Sequence, residues 1–298
     1  WFGEGKIIMP SKVTTDMTAL GIAGWFNSMP SYVEPCDTAG IKLVGGYANN
    51  KTIGLPYIKA NLLLTDPRTG LLKALVSGDY ISDMRTGAQP AVAAKHLASK
   101  TDVVTIIGAG LQANMSLLCM SKILNIKEVR VCDINPAARK NFINRFADYP
   151  FILVDCASNE EGCRGSDIII TLTTADAALV QEPWIKKGSL VMTMGSFTET
   201  SDDVVLKSDI IAVDHIGQSL HRGNLKSLVD RGLISASSIN VVLTDLIAGK
   251  IPGRKTADDR IYVELVGMGC LDLAVASAAY NKIVSSCIDE TTIVDMMG

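Results

Sequence analysis

The sequence has few histidines and no excess of charge of either sign. It contains 3 His in 298 residues, and no H-x-x-x-H pair occurs. No cluster of carboxylate residues has the spacing of metal ligands either. The formal net charge is -3, from 28 basic and 31 acidic residues, so no basic surface for nucleic acid is expected. No apolar run reaches the roughly 18 residues of a membrane-spanning helix. These absences predict an ordinary globular chain with no metal, nucleic-acid or membrane partner.

Other motifs are missing as well. No C-x-x-C pair, G-x-S-x-G turn or phosphate-binding P-loop occurs. The first residues, WFGEGKIIMPSKV, do not resemble a signal peptide, and the lack of an initiator Met suggests that further residues precede them. An odd number of cysteines argues against a complete disulfide set and favours a reducing cytoplasm. The 7 cysteines are Cys36, Cys119, Cys132, Cys156, Cys163, Cys270 and Cys287.

From Thr101 onward the pattern predicts alternating strands and helices. The predicted strands are almost continuously apolar, which is typical of a parallel sheet covered by helices on both faces. After about Leu233 the pattern becomes helical again, with a strand or turn before an Ala-rich helix at the end. The predicted strands are VVTIIG, EVRVCDI, FILVDC, DIIITLTT, SLVMTMG and DIIAVD.

The first part of the chain has a different pattern. IKLVGGY, YIKANLLLTD and LKALVSGDYI predict strands, and DPRTG predicts a hairpin turn between the last two. The segment DMRTGAQPAVAAKHLAS then predicts a helix with Pro90 near its start or at a kink. We expect the final helix to return to this part. The fold class is therefore α/β, with a Rossmann doubly wound parallel sheet domain (93–259) and a discontinuous α+β substrate domain (1–92 and 260–298).

A glycine turn carries the main functional signal. Residues 108–113, GAGLQA, follow a predicted strand and open a helix, which is the context of a dinucleotide-binding turn. The first glycine permits a tight turn, the second permits close approach of a pyrophosphate, and the small Ala113 permits close packing of helix on strand. The helix N-terminus offers N–H groups to the phosphates. The alternative is a strand-to-helix corner without a nucleotide. The predicted ligands here are Gly108, Ala109, Gly110, Leu111, Gln112 and Ala113.

Asp133 ends the second parallel strand, where a carboxylate can accept hydrogen bonds from ribose hydroxyls. It would repel a 2′-phosphate, so we predict NAD rather than NADP as the cofactor. The alternative is a turn or helix-cap residue. The other predicted cofactor residues follow the second, fourth and fifth parallel strands. They are Ile134, Arg139, Thr171, Thr173, Thr174, Gly195 and Ser196.

Arg85 is the predicted anchor for a substrate carboxylate. We expect it at the start of a helix, where the guanidinium and the helix N-terminus would favour the same anion. The alternative is a structural arginine paired with Asp83 or Asp79.

Three lysines are candidates for binding the substrate or for exchanging a proton with it. Lys42 lies in an otherwise apolar strand, and burial would lower its pKa so that it could exchange a proton with an amine or imine nitrogen. Lys59 is a second strand lysine, and the alternative is that strict alternation with Ile58 and Ala60 directs it to solvent. Lys12 is a third possible carboxylate ligand. For each, the alternative is a solvated surface residue.

The chain owes its family resemblance to the motifs IKLVGGYANN, RTGAQPA, IIGAGLQA and VCDINP and to the closing GMGCLD, which ends in Asp272. It resembles the ornithine cyclodeaminase/mu-crystallin family over nearly its whole length. The resemblance implies a Rossmann domain, a substrate and dimerisation domain, and a homodimer. It implies that Lys42 is the active-site lysine, that Arg85 binds the carboxylate, and that Asp272 is the aspartate of the last helix.

Two departures from the family pattern affect the predicted reaction. Lys12 stands where the family has an early arginine, and Phe197 stands where cyclodeaminases have an aspartate that receives the distal amine. The nearest acid, Glu199, could replace that aspartate only if the loop were displaced. An apolar Phe197 favours a small or uncharged side chain in the substrate.

Three functions therefore stay open. The first is an NAD(H)-dependent oxidoreductase of small 2-amino or 2-imino acids, of the alanine dehydrogenase or imine reductase type, with hydride transfer at the α-carbon. The second is an ornithine cyclodeaminase-type ammonia-lyase that uses catalytic NAD. The third is a nucleotide-binding, crystallin-like protein without turnover.

Overall fold

The computed structural model describes residues 1–286, so Cys287 and the last part of the predicted 260–298 segment, residues 287–298, lie outside the described part. The chain forms two compact units. Of the described residues, the first unit comprises Trp1–Arg85 and 268–286, and the second comprises Thr86–Gly267. Each unit is built around its own sheet.

The sheet of the first unit is antiparallel throughout, in the order β1-β3-β4-β5-β6 with β2 also paired to β3. The last helix, α9, packs on one face. The strands are β1 (Ile7–Ile8), β2 (Val13–Asp16), β3 (Gly24–Val33), β4 (Thr38–Tyr47), β5 (Ile58–Thr65) and β6 (Leu72–Ser77), and the helix is α9 (Gly269–Ser285).

Strand β3 was not predicted, and it contains Pro30. On the edge away from β4, β1 pairs only with the end of β3 and β2 only with its beginning. Met29–Ser31 therefore face no strand on that edge, and a proline without an N–H group is tolerated there. The predicted DPRTG hairpin is confirmed, since the Asp66 carboxylate accepts from the Arg68 and Thr69 N–H groups and Gly70 has φ 75°.

Helix α1 (Asp79–Leu97) belongs to the first unit up to Arg85 and to the second from Thr86. It begins four residues before the predicted start at Asp83, so part of the predicted strand LKALVSGDYI is helix. The prediction that Arg85 lies at a helix start is therefore wrong: it lies in the second turn, beyond the region where free N–H groups attract an anion. Pro90 lies inside the helix, not near its start.

In the second unit, the described residues form an eight-stranded parallel sheet in the order β13-β12-β14-β11-β10-β7-β8-β9. The two apolar clusters of this unit take alternate residues of the strands, as expected for a sheet that is covered on both faces. The strands are β7 (Val103–Ile107), β8 (Glu128–Cys132), β9 (Ile152–Asp155), β10 (Ile168–Thr171), β11 (Leu190–Met194), β12 (Ile210–Val213), β13 (Val241–Val242) and β14 (Ile261–Leu265).

The helices of this unit connect the parallel strands. They are α2 (Leu111–Ile123), α3 (Pro136–Arg145), α4 (Asn159–Cys163), α5 (Asp202–Leu206), α6 (Ile216–Ser219), α7 (Gly223–Asp230) and α8 (Leu243–Ile247).

The sequence predicted this doubly wound sheet, but two details differ. The strand β14 lies at the centre of the parallel sheet, between β11 and β12, so the expected domain boundary at 259/260 falls inside the second unit. The boundary expected at 92/93 also falls there. Strand β9 is partly exposed because it is an edge strand.

No helix among the described residues combines the length and the apolar character needed to cross a lipid bilayer. All six cysteines within residues 1–286 are free thiols.

Candidate active site

Four polar side chains of the first unit form a buried group, which we call the lysine cluster: Lys42, Ser82, Arg85 and Asp272. Lys42 lies on β4, and its side chain is fully buried. Its Nζ donates to Asp272 Oδ1 at 2.6 Å and to Ser82 Oγ at 2.8 Å. The other Asp272 oxygen, Oδ2, lies 2.9 Å from Arg85 Nε as an ion pair. One carboxylate thus neutralises two cations in the interior of the first unit.

The fold brings the cluster together from three elements. Alternation along β4 directs Lys42 to the face that α9 covers, because its cross-strand partners Met29 and Leu62 are buried there as well. Asp272 lies in the first turn of α9. Residues three apart share a helix face, so α1 presents Ser82 and Arg85 on the same side.

Burial sets the protonation of Lys42. Removal from water lowers its pKa to about 7, and the positive charge of Arg85 acts in the same direction. The Asp272 carboxylate opposes both effects and keeps the pKa from falling further. Lys42 can therefore gain or lose a proton near neutral pH, as a general acid or base requires.

The other predicted substrate residues of this unit differ in their surroundings. Lys59 does not point freely to solvent, because it forms an ion pair with Asp79, whose other oxygen accepts the Ala60 N–H at 2.7 Å. This pairing fixes the start of α1 against β5. Lys12 is half-buried in the segment between β1 and β2. Arg85 forms its ion pair with Asp272, which was not among the predicted alternatives Asp83 and Asp79, and its charge also acts on the Asp83 carboxyl.

In the second unit, the glycine turn lies where strand order reverses, between β7 and β10. Gly108 has φ 96°, and a Cβ there would lie 2.8 Å from the Leu172 carbonyl, so the turn requires glycine. Gly110 caps α2, and no atom lies within 4 Å of the position of its absent Cβ. The N-cap residue itself, a glycine, has no side chain that could cap the first turn of α2. Open space beside backbone N–H groups fits a pyrophosphate.

The remaining residues of the turn differ in burial and in their contacts. Ala113 is fully buried, which suits close packing of α2 on the sheet. Leu111 is half exposed, and Gln112 is half-buried. Ala109 donates its N–H to Asp133 Oδ2 at 2.7 Å.

Asp133 therefore also organises the turn. Its second oxygen accepts the Asn135 N–H at 2.8 Å, so the turn-residue alternative is correct as far as these contacts go. The side chain is only half-buried, which leaves it accessible for a ribose. Ile134 beside it is fully exposed. Arg139 on α3 donates to the Asp155 carboxylate and to the Asp133 carbonyl oxygen, so it supports the end of β8.

A buried carboxylate holds the loop after β10. Glu199 accepts from the Thr171 hydroxyl at 2.8 Å, and from the Thr173 N–H at 2.8 Å and hydroxyl at 2.6 Å. Burial raises its pKa, while these three hydrogen bonds oppose the shift. Glu199 thus serves the loop, and nothing in its surroundings suits it to replace the missing cyclodeaminase aspartate. Thr174 is exposed.

The loop after β11 carries the remaining candidates. Gly195 has φ 114°, and no atom lies within 4 Å of the position of its absent Cβ. Ser196 is exposed, and the side chain of Phe197 is 37% exposed. An exposed aromatic ring between polar neighbours can contact an apolar ligand.

Two buried residues, Ser82 and Glu264, were not among the predicted site residues. Glu264 ends β14 and accepts the Leu225 N–H at 3.0 Å and the Tyr262 hydroxyl at 2.9 Å. Burial raises the pKa of Glu264 to about 8. Ser82 could have been found from its spacing of three from Arg85, had the helix start been placed correctly. Within residues 1–286, no group of three or more His, Cys, Asp or Glu is arranged to hold a metal ion.

The fold and the glycine turn define a Rossmann-type dinucleotide-binding protein with an additional antiparallel unit. The chain belongs to the ornithine cyclodeaminase/mu-crystallin family, whose sequence profile matches residues 2–287.

Three relatives show how close the similarity is. The alanine dehydrogenase of Archaeoglobus fulgidus is 30% identical over 95% of this chain and 87% of its own. The structure of Thermococcus litoralis Δ1-pyrroline-2-carboxylate reductase with NADH and L-proline has a TM-score of 0.91 at 30% identity, covering 98% of this chain and 91% of that one. An archaeal alanine dehydrogenase dimer with bound NAD has a TM-score of 0.90 at 29% identity, covering 99% and 91%.

Proposed function

We propose that the protein is an NAD(H)-dependent oxidoreductase that interconverts a small 2-amino acid and its 2-imino acid. The observation that carries this proposal is the lysine cluster, in which a buried lysine with a pKa of about 7 lies beside an arginine. A carboxylate and an adjacent nitrogen are what such a pair recognises. Relatives that act on alanine and on a cyclic imino acid support the same class of reaction.

The cofactor would be held by the glycine turn, Asp133 and the loops after β10 and β11. The chemistry that NAD(H) would supply there is acceptance of a hydride from the α-carbon of the substrate, or its donation in the reverse direction. Asp133 at the predicted ribose position favours NAD over NADP.

The residues of the first unit would bind substrate and move the proton. Arg85 Nε lies against Asp272, so we assign the substrate carboxylate to the Nη groups of Arg85. Neutral Lys42 would take the proton from the substrate nitrogen during oxidation, and charged Lys42 would give it back during reduction. Lys12 stays a candidate second carboxylate ligand, and Phe197 a candidate contact for the substrate side chain.

A cyclodeaminase is the less favoured function, since ring closure needs a group to hold the distal amine. Phe197 cannot do so, and the Glu199 carboxylate is committed to Thr171 and Thr173.

A cofactor-linked screen tests the proposal. We expect NADH formation from one or more small amino acids, and NADH consumption with imines formed from 2-oxo acids and ammonia or methylamine. Proline made from ornithine with catalytic NAD and no net NADH would favour the ammonia-lyase. Tight NAD binding without any turnover would favour the crystallin-like function.

We also propose that the protein is a homodimer that pairs through the sheet face opposite α9. The register aligns Pro30, Ile41, Leu63 and Leu75 across four strands, and alternation places them on that face. Leu75 is 68% exposed in the single chain. The archaeal relative solved as a dimer supports this assembly.

Replacing Leu75 by glutamate should therefore weaken the dimer, because a charge would be buried in an apolar interface. Light scattering after gel filtration should show a dimer for the wild type and a shift toward monomer for the variant. Leu20→Glu is the matched control, since Leu20 is 86% exposed and lies outside the sheet. A monomeric wild type, or equal behaviour of both variants, would contradict the proposed interface.

A further inference from the structure

The Lys42 amino group makes two hydrogen bonds and could make a third. A lysine Nζ is tetrahedral, with one bond to Cε and three positions for protons or a lone pair. Ser82 Oγ and Asp272 Oδ1 occupy two of these positions, at 2.8 and 2.6 Å. One position is left for exchange with another group.

We infer that Ser82 is a positioning residue, which together with Asp272 restricts proton exchange by Lys42 to a single direction. This inference depends on the proposed function, because it assigns the remaining direction to the substrate nitrogen. In the charged form that direction carries the transferable proton. In the neutral form the two N–H groups stay on Ser82 and Asp272, and the lone pair points the same way.

The fold explains how so short a side chain reaches Lys42. Gly78 precedes α1, and a Cβ there would lie 2.7 Å from Leu62 and 3.1 Å from Ala60. The glycine thus lets the start of α1 approach β5 closely. The Ser82 N–H donates to the Gly78 carbonyl at 2.8 Å, which fixes Ser82 in the first turn. A larger residue at position 78 would hold α1 further from the sheet.

The charged groups around Lys42 come from two helices. Arg85 and Asp83 face it from α1, and Asp272 faces it from α9. Burial raises the pKa of the neighbouring Cys270 thiol to about 12, so this group stays neutral in the working range. Ser82 contributes no charge. Its oxygen accepts a hydrogen bond, and an acceptor stabilises the charged amine more than the neutral one.

Ser82→Ala tests the inference. We expect kcat to fall about tenfold, since Lys42 would lose its fixed direction, while KM changes little because Arg85 still binds the carboxylate. The limb of the pH profile that reports Lys42 should move to lower pH, because the charged amine loses an acceptor. Ser82→Thr keeps a hydroxyl on Cβ and should therefore show the wild-type kcat and the wild-type position of the pH limb.

Ser277→Ala is the matched control. Ser277 is a buried serine on α9 that bonds the Thr38 hydroxyl at 3.0 Å, so this variant removes an equivalent hydrogen bond elsewhere in the same unit. It should lose stability as Ser82→Ala does but keep the wild-type kcat and pH profile. The inference is overturned if Ser82→Ala has the wild-type kcat and pH limb, or if Ser277→Ala shifts them equally.

A second measurement separates this inference from the proposed function. The pKa of Lys42 can be followed by NMR of isotopically labelled lysine side chains, with Lys42→Ala used for assignment. A lower Lys42 pKa in Ser82→Ala supports the hydrogen bond even if no amino or imino acid is turned over. An unchanged pKa overturns the role of Ser82 even if the wild type is an active dehydrogenase.

Discussion

Replacing Lys42 by alanine should lower kcat by about 10²- to 10⁴-fold, the range for loss of a positioned acid or base. NAD binding should be unaffected, because the glycine turn and Asp133 belong to the other unit. The variant should fold, since Asp272 keeps its ion pair with Arg85. Steady-state kinetics with the best substrate of the screen, together with cofactor titration, measure both effects.

The pH profile of the wild type should identify the same group. With a pKa of about 7, Lys42 is charged below neutral pH and neutral above it. For imine reduction, which needs the acid, kcat/KM should fall as pH rises through about 7. For amino acid oxidation, which needs the base, it should rise. Both limbs should be absent from any residual activity of Lys42→Ala.

Substrate binding should shift the limb of the pH profile that reports the Lys42 pKa. A substrate carboxylate beside Arg85 adds negative charge near Lys42, and negative charge raises the pKa of an amine. Since kcat reports the complex and kcat/KM the free enzyme, the limb in kcat should lie at higher pH.

Lys73→Ala is the control for these measurements. Lys73 is a half-buried lysine on β6 of the same sheet, and it donates to the Asp37 carbonyl at 2.8 Å. The Lys73→Ala variant should retain the wild-type kinetics. A Lys42→Ala enzyme with the kcat and pH profile of the wild type would remove Lys42 from the mechanism.

The sequence predicted what depends on local pattern. The parallel strands are short apolar runs, and the glycine turn follows from a backbone conformation that favours glycine, as the φ of Gly108 shows. The strands and the glycine turn are each determined by a few neighbouring residues. The apolar strand around Lys42 left burial and a solvated surface position both open, and the structure shows the side chain fully buried.

Features that depend on tertiary packing were missed or misplaced. The contacts of Lys42 with Ser82 and Asp272 join residues 40 and 230 positions apart. The predicted strand LKALVSGDYI ran as far as Ile81, which gave the late start for α1, whereas Gly78 and the Lys59–Asp79 pair determine the observed start. Thr171 and Thr173 donate hydrogen bonds to Glu199, and no pattern in the neighbouring sequence predicts these contacts.

The second large effect concerns stability. Asp272→Asn should lower the free energy of unfolding by about 3–5 kcal/mol at pH 6, the usual cost of removing one partner of a buried ion pair. The variant keeps the volume of the side chain but leaves Lys42 and Arg85 close together in the interior without their shared carboxylate. Denaturant unfolding at pH 6 and pH 9 measures the loss.

The loss should depend on pH in one direction. The folded-state pKa of Lys42, about 7, is below its unfolded value of about 10.4, so between these values the unfolded state binds more protons and stability rises with pH. Removing Asp272 lowers the folded pKa further. The deficit of the variant should be largest below pH 7, where wild-type Lys42 is charged, and smaller at pH 9, where Lys42 is neutral in both proteins.

Asp37→Asn gives a matched control, because Asp37 pairs with Arg68 at the surface and its φ of 46° is tolerated by asparagine. That variant should lose less than about 1 kcal/mol, equally at both pH values. A further change, Lys42→Met in the Asp272→Asn background, should recover part of the lost stability, because one of the two uncompensated charges is then gone. A deficit that is small at both pH values, or that grows from pH 6 to pH 9, would show that Asp272 does not stabilise a charged Lys42.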